Sequence, residues 1–483
     1  MRKREFLWIG IAMAAIALSV VPAAAKKKDL YPEYDLMTRV VDRILSDYVD
    51  PVDPEKLFQG AFGGMVSSLD PYSQFLPAEA KEELDIETSG QYGGLGIEIT
   101  LDRAGYLTVV TPMEDTPAFR GGVMAGDKIL RIDGRNVLAI PLTRRLSEAV
   151  KMLRGKPGTE VTINVLHEDG AREDITLTRE IISTRSVRAT SIVDEDAGIG
   201  YVRMSQFQRG TVQELDEAVN TLKKQGMRAL ILDLRYNPGG LLDEAVGVAD
   251  RFLAEGVIVS TGGRTRESNQ KFMAQKGNTY PDFPLVVLIS QRSASGSEIV
   301  AGALQDNHRA VVVGTRSYGK GSVQSIVQLP DGSALRLTTA RYYTPSGRSI
   351  HRNPYDETFD KEKSEWGIEP DFPVPISRAE EAAILQKWRD EHIIRNNKDK
   401  PKTDGEDVSE EDRPMPQEKP RVQPPDRDEE EGLVPPEPEE EHKPPVDRQL
   451  EVAKTVLKAI LLSRGESIKR PAATAATEAA AVE

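Results

Sequence analysis

The chain of 483 residues contains no cysteine. That absence excludes disulfides, thiolate metal sites, a cysteine nucleophile and a lipoprotein anchor, so stability has to come from packing. Histidine is scarce. The 5 present are His167, His308, His351, His392 and His442, and none stands in the pattern of a metal pair or a catalytic triad; His308 reads as a surface cap on the helix before it. Positive charge is in deficit, with 63 basic against 77 acidic side chains and a formal charge of −14, which disfavours a nucleic-acid or anionic-lipid surface as the main partner. Aromatics are 6% and are nowhere interleaved with basic residues. Residues 6–21 form an apolar run of about 16 residues, short of the roughly 20 needed to span a bilayer. The run follows Met1-Arg-Lys-Arg and precedes Ala23-Ala-Ala25, so residues 1–28 are expected to be a cleaved export signal, with an uncleaved anchor as the alternative.

What is present allows a folded core: 39% hydrophobic and 29% charged residues, in a chain longer than one core usually organises, so two or three domains are expected. Over 29–88 the residues Leu36, Val40, Val41, Ile44 and Leu45 recur at helical spacing, and Leu57, Phe62 and Met65 follow Pro51 and Pro54, predicting a helical arm that caps the body or pairs two subunits. Short β-type runs at 95–101, 106–110, 128–132, 161–166 and 173–177, with one helix at 142–153, predict a compact β-rich module over 89–180. From 181 to 395 strands and helices alternate (strand 199–204, helix 212–224, strand 229–234, helix 241–253, strand 285–289, helix 297–306, strand 310–313), which predicts an α/β domain with largely parallel strands and a β-rich end at 323–329 and 334–343. Residues 396–445 are dominated by proline and acid, too poor in apolar area to offset ordering entropy, and are expected to be disordered. A last amphipathic helix at 446–463 carries Leu450, Ala453, Val456, Leu457, Ile460 and Leu461 on one face, to dock on the body or on a second subunit.

Gly94-Leu-Gly-Ile97 offers successive backbone N–H groups in a glycine-permitted turn, a nest able to hold a carboxylate, and a peptide could add as a strand beside residues 97–100. Together with Ala125-Gly-Asp-Lys-Ile-Leu-Arg-Ile-Asp-Gly134 this module resembles a PDZ domain. The resemblance makes Leu95, Gly96 and Ile97 the carboxylate-loop candidates.

Two signatures further along look like chemistry: Ser293-Ala-Ser-Gly-Ser-Glu298 and Gly319-Lys-Gly-Ser-Val-Gln324. A serine needs a base and an oxyanion stabiliser to act as a nucleophile. With no suitable histidine, Lys320 is the base. Its ordinary pKa of about 10.4 must fall by roughly three, at a cost of about 4 kcal/mol of charge solvation, and a buried pocket can supply that shift. Gln324 is spaced to orient the lysine amine. Gly314-Thr-Arg-Ser-Tyr-Gly-Lys320 also matches the start of a phosphate-binding loop, but Gly321 replaces the required Ser or Thr and the residues after it alternate like a strand, so no nucleotide is expected. Among Ser293, Ser295 and Ser297 the residue chemistry does not choose.

These segments, with Asp233-Leu-Arg-Tyr-Asn-Pro-Gly-Gly-Leu241, resemble the carboxyl-terminal processing proteases over residues 31–375. The resemblance implies a catalytic domain on the crotonase/Clp-protease fold and a Ser-Lys-Gln set with the middle serine as nucleophile: Ser295, Lys320 and Gln324. Where the family usually has alanine after the nucleophile this chain has Gly296, whose N–H still serves the oxyanion hole, with looser geometry. The second oxyanion donor is expected from the turn at Asn237-Pro-Gly-Gly240, from Gly239 or Gly240, with Gly239 preferred. The implied protein is an exported serine endopeptidase acting on proteins with apolar C-terminal tails, without cofactor, metal or nucleic acid, and able to form a homodimer through the arm and the last helix. The alternative is a PDZ scaffold of the cell envelope that binds without cutting.

Overall fold

The computed structural model describes residues 30–277, 279–352, 366–392 and 446–468. The expected signal at 1–28 and the proline-acid segment at 396–445 lie outside the described residues. Among the described residues no helix is long and apolar enough to cross a membrane.

The chain divides into two units, residues 1–75 and 76–483. In the first, helix Tyr31–Asp47 starts with a proline in its first turn and helix Pro54–Ser67 is capped by Asp53, whose side chain accepts from the Glu55 amide at 3.0 Å. Phe62 packs between Phe58 and Phe75. Leu36, Val40 and Leu45 of the first helix are exposed.

In the second unit, helix Ala78–Ser89 leads to a two-stranded ladder of Gln91–Gly94 and Glu180–Ser183, which closes the neck of an inserted β-module. The module's sheet runs Ile97–Leu101, Leu107–Pro112, Lys128–Ile132, Glu160–Leu166, Arg172–Thr178 in spatial order, with Ile97–Leu101 at one edge. Helix Leu142–Leu153 turns Ala149 and Leu153 into a core built on Leu107, Ile129, Val161 and Ile163.

The larger domain is built on a six-stranded sheet in the order Val187–Asp194, Ile199–Met204, Ala229–Asp233, Leu285–Ile289, Val311–Gly314, Phe372–Pro373. Only the first pairing is antiparallel. Strand Leu285–Ile289 is buried on both faces, as a covered parallel strand must be, and its side chains alternate between two cores. Leu285, Val287 and Ile289 meet helices Thr211–Lys224, Leu242–Asp250 and Gly296–Asp306, while Val286 and Leu288 face the other side. That other side is covered by the last helix, Arg448–Ser463, through Ala453, Leu457 and Leu461, each fully buried. The apolar face that offered a second subunit a docking surface is therefore covered by the chain's own sheet. Burying one such leucine stabilises by about 1.5–3 kcal/mol. A second, antiparallel sheet joins Ser322–Gln328, Ala334–Tyr343, Val257–Gly263 and Lys271–Met273.

Candidate active site

In parallel sheets, functional loops gather at the carboxyl ends of the strands. Three neighbouring strands do so in this domain. Ala229–Asp233 runs into the Arg235 to Gly240 turn, Leu285–Ile289 into the serine segment, and Val311–Gly314 into the Lys320 loop.

The serine segment and the glycine turn are stitched together. The Asn237 carbonyl accepts from the Ala294 amide at 3.1 Å and from Ser297 Oγ at 2.9 Å. Ser293 Oγ donates to the Leu234 carbonyl at 2.8 Å and accepts from the Ser290 amide at 2.9 Å. Both outer serines are thus fully buried structural donors. Ser295 differs from both. It stands before the first turn of helix Gly296–Asp306 with φ 51° and ψ −110°, a left-handed conformation that costs a non-glycine residue energy and persists only when its surroundings hold it. The phenol of Tyr342, which burial pushes up to about 12 and the Ser295 hydroxyl draws partly back, lies beside it.

Gly239 lies directly under this turn. A Cβ there would fall 2.8 Å from the Ala294 carbonyl oxygen, the Gly296 nitrogen and Ser295 Cβ, and its φ is 103°, so only glycine fits. Its N–H donates to Asn237 Oδ1 at 2.9 Å. The expected Gly239 oxyanion donor is therefore already engaged, whereas the neighbouring Gly240 amide has no acceptor among the described residues. The Gly296 N–H opens the helix, where no intrahelical acceptor exists and the helix dipole favours negative charge.

The lysine loop docks onto the same place. The Tyr318 amide donates to the Ser293 carbonyl at 2.9 Å, and the Tyr342 amide to the Gly321 carbonyl at 2.9 Å. Lys320 is half-buried, and its pKa is lowered, first by burial and then by the charge of Arg336, with Glu298 opposing. The Gln324 amide nitrogen donates to Ser322 Oγ at 2.9 Å and Thr338 Oγ1 at 3.4 Å. After Gly321 the chain forms strand Ser322–Gln328, not the helix a phosphate loop requires.

Two residues here escaped the sequence reading. Tyr342 sits on strand Ala334–Tyr343, remote in sequence from the serines. Glu298 was visible in the serine motif but had no assigned task. Its buried carboxylate accepts from the Ser295 amide at 2.8 Å, the Gly319 amide at 2.6 Å, the Lys320 amide at 2.9 Å and the Ser317 hydroxyl.

In the β-module, Gly96 has φ 74° and a Cβ there would fall 2.3 Å from Thr116. The Leu95 carbonyl accepts from the Ala118 amide and the Gly96 carbonyl from the Met113 amide, while the Leu95 and Gly96 amides have no acceptor among the described residues. Ile97 begins the edge strand next to them. A cavity of about 250 Å³ separates the module from the larger domain, lined by Glu98 and Thr111 on one side and Arg203, Tyr236 and Trp388 on the other.

Comparison with known proteins agrees with this division. The Peptidase family S41 profile matches residues 198–374, the PDZ domain profile 93–178, and the activating protease CtpB N-terminal domain profile 13–80. A carboxy-terminal-processing protease of Bartonella bacilliformis is 41% identical over 357 residues, covering 72% of this chain and 80% of that protein. The chain belongs to the carboxyl-terminal processing proteases. A carboxyl-terminal-processing protease of Synechocystis is 38% identical over 293 residues, covering 60% of this chain and 67% of that one. Among solved structures, the photosystem II D1 C-terminal processing protease is 29% identical with a TM-score of 0.40, covering 70% of this chain and 86% of that chain. As a member of this family the protein is a serine peptidase with a PDZ domain, and the reading as a non-cutting scaffold falls.

Proposed function

We propose that this processing protease is an exported endopeptidase that captures the apolar C-terminal tail of a protein in its PDZ domain and cuts it with Ser295, Lys320 and Gln324. The observation that carries the reading is the contrast among the three serines. Ser293 and Ser297 donate to backbone carbonyls inside the fold, whereas Ser295 sits on a strained turn at a helix start, beside a lysine loop whose amine is disfavoured as a cation.

Neutral Lys320 takes the Ser295 proton as Oγ adds to the peptide carbonyl. The oxyanion falls to the Gly296 N–H and to the glycine turn. With Gly239 held by Asn237, Gly240 is the second donor and Gly239 provides the close approach. Lys320 then returns the proton to the leaving amine as the C–N bond breaks. Water, deprotonated by the same amine, releases the acyl group. Gln324, its amide nitrogen held by Ser322 and Thr338, orients the lysine amine through its oxygen.

Leu95, Gly96 and Ile97 receive the tail carboxylate, and the tail pairs along Ile97–Leu101, the free edge of the sheet. The exposed Leu36, Val40 and Leu45 stripe is the surface for a second subunit. The catalytic domain is read as a crotonase/Clp-type fold, and the chain as reaching the cell envelope through residues 1–28. A serine-reactive phosphonate followed by peptide mapping tests the assignment: the adduct is expected on Ser295, and an adduct on Ser293 or Ser297 overturns it.

A further inference from the structure

We propose that Glu298 is a positioning residue for the peptidase reaction, a buried carboxylate that clamps the nucleophile turn and the lysine loop into one unit. The inference rests on the reading of Ser295 and Lys320 as nucleophile and base, and goes beyond it by naming what holds them in register.

The geometry is specific to a carboxylate. Oε2 is shared by the Ser295 and Lys320 amides at 2.8 and 2.9 Å, so one oxygen joins the backbones of both reacting residues. Oε1 takes the Gly319 amide at 2.6 Å and the Ser317 hydroxyl. Four donors converge on a side chain that is 1% exposed, and an ionised carboxylate, acceptor at both oxygens, satisfies all of them. Glutamine would turn an NH2 toward two of these donors and leave them unsatisfied in a dry site. Aspartate keeps the charge and is suited to receive the Ser295 amide from the first turn of its own helix, but is one methylene too short to hold the lysine loop as well. The pair of substitutions therefore separates a helix cap from a clamp. Ser295 also needs such an anchor, since its φ of 51° is not one that serine holds unaided.

Burial pushes the Glu298 carboxyl up to about 7, against the four donors that draw it back. A proton there places an O–H against N–H groups and loosens the clamp as pH falls. The charged groups acting on this site are Lys320 and Arg336, with His351 and Arg352 packed on the same loop at Gly321 and Gly319; Glu298 raises the lysine pKa while burial and Arg336 lower it. Removing the carboxylate charge thus moves the acid limb of activity to lower pH on both counts, at a lower plateau.

The test uses the full chain and a quenched fluorescent peptide with an apolar C-terminal tail. Glu298→Gln and Glu298→Asp are each expected to lower kcat about 100-fold, the scale of an ångström-sized misplacement, with KM within about threefold of the parent, and Glu298→Gln is expected to shift the acid limb to lower pH. A Glu298→Asp enzyme with the parental kcat overturns the clamp, as does an acid limb that stays in place in Glu298→Gln. If the Glu298 variants do not fold, Ser317→Ala decides: it removes one of the four donors to Glu298, and with it the acceptor of the Ile368 amide. A kcat reduced about three- to tenfold at constant KM, with the acid limb moved to higher pH as loss of a donor that lowers the Glu298 pKa requires, supports the clamp. A parental kcat or an unmoved acid limb overturns it. Ser295→Ala and Lys320→Ala run alongside. Activity in those two refutes the underlying site, whereas loss in those two with full activity in Glu298→Asp refutes the clamp alone.

Discussion

Arg235 should be among the most costly side chains in the molecule to truncate. It is 2% exposed, and its guanidinium bonds Asp233 through Nε at 3.0 Å and Nη2 at 2.7 Å, Asp447 at 2.9 Å through both terminal nitrogens, and Gln449 at 3.1 Å. Asp233 is fully buried and has, besides Arg235, the Tyr201 hydroxyl at 2.8 Å. Arg235→Met fills much of the volume and removes the charge, leaving a buried carboxylate without its counter-ion. Breaking such a pair costs about 3–5 kcal/mol, which for a domain of this size lowers Tm by on the order of 10 °C. Asp233→Asn in the same background removes the orphaned charge, so the double variant is expected to be more stable than Arg235→Met alone. Thermal unfolding of the four proteins of this cycle supplies the coupling. The same arginine bridges the last helix to the turn that carries Asn237 and Gly239, so kcat is expected to fall as well while peptide affinity holds. A melting shift under about 2 °C, or a cycle that is simply additive, refutes the reasoning.

Arg336→Gln removes a positive neighbour that lowers the Lys320 pKa. The lysine then holds its proton to higher pH, and the acid limb of kcat/KM against pH is expected to move upward. Gly96→Ala places a Cβ 2.3 Å from Thr116 at a φ of 74°; the strain should weaken capture of a tailed peptide roughly tenfold, read as a rise in KM while cleavage of an untailed peptide is unchanged. Gly296→Ala restores the residue usual in the family. Its Cβ meets Phe207 Cδ2 at 3.0 Å and Ala245 Cβ at 3.3 Å, a fit that a small shift of one ring accommodates, so kcat is expected to stay within about threefold.

Periodicity read well wherever a segment's own side chains set its environment. Strands Lys128–Ile132, Ile199–Met204, Leu285–Ile289 and Ala334–Tyr343, and helix Leu142–Leu153, fall where the pattern put them. Strand Val187–Asp194 was not legible, because its VRATSIVD sequence lies half-exposed at the sheet edge and neither alternates nor runs apolar. Helix Arg378–His392 was missed for a similar reason, being rich in charge with only Ile384 and Trp388 buried, the latter stacking on Arg203 and Arg235. At the site, the residue types were legible and their partners were not. Glu298 shares a motif with Ser295, yet its bonds to the lysine loop depend on adjacent parallel strands bringing two turns together. The Asp447 partner of Arg235 lies 212 residues away, beyond any local pattern. The second oxyanion donor was expected from Gly239 in preference to Gly240, and the bond that occupies the Gly239 amide, to the Asn237 side chain folded back onto it, had no signal in the local pattern.

The most direct test of the central claim is the initial rate of trimming of a protein substrate with an apolar C-terminal tail, measured for the parent, Ser295→Ala and Lys320→Ala at one pH and with folding verified. A Ser295–Lys320 pair acting as a unit requires both variants to lose activity by about 1,000-fold or more, and to comparable extents. Either variant trimming at the parental rate contradicts the assignment of that residue.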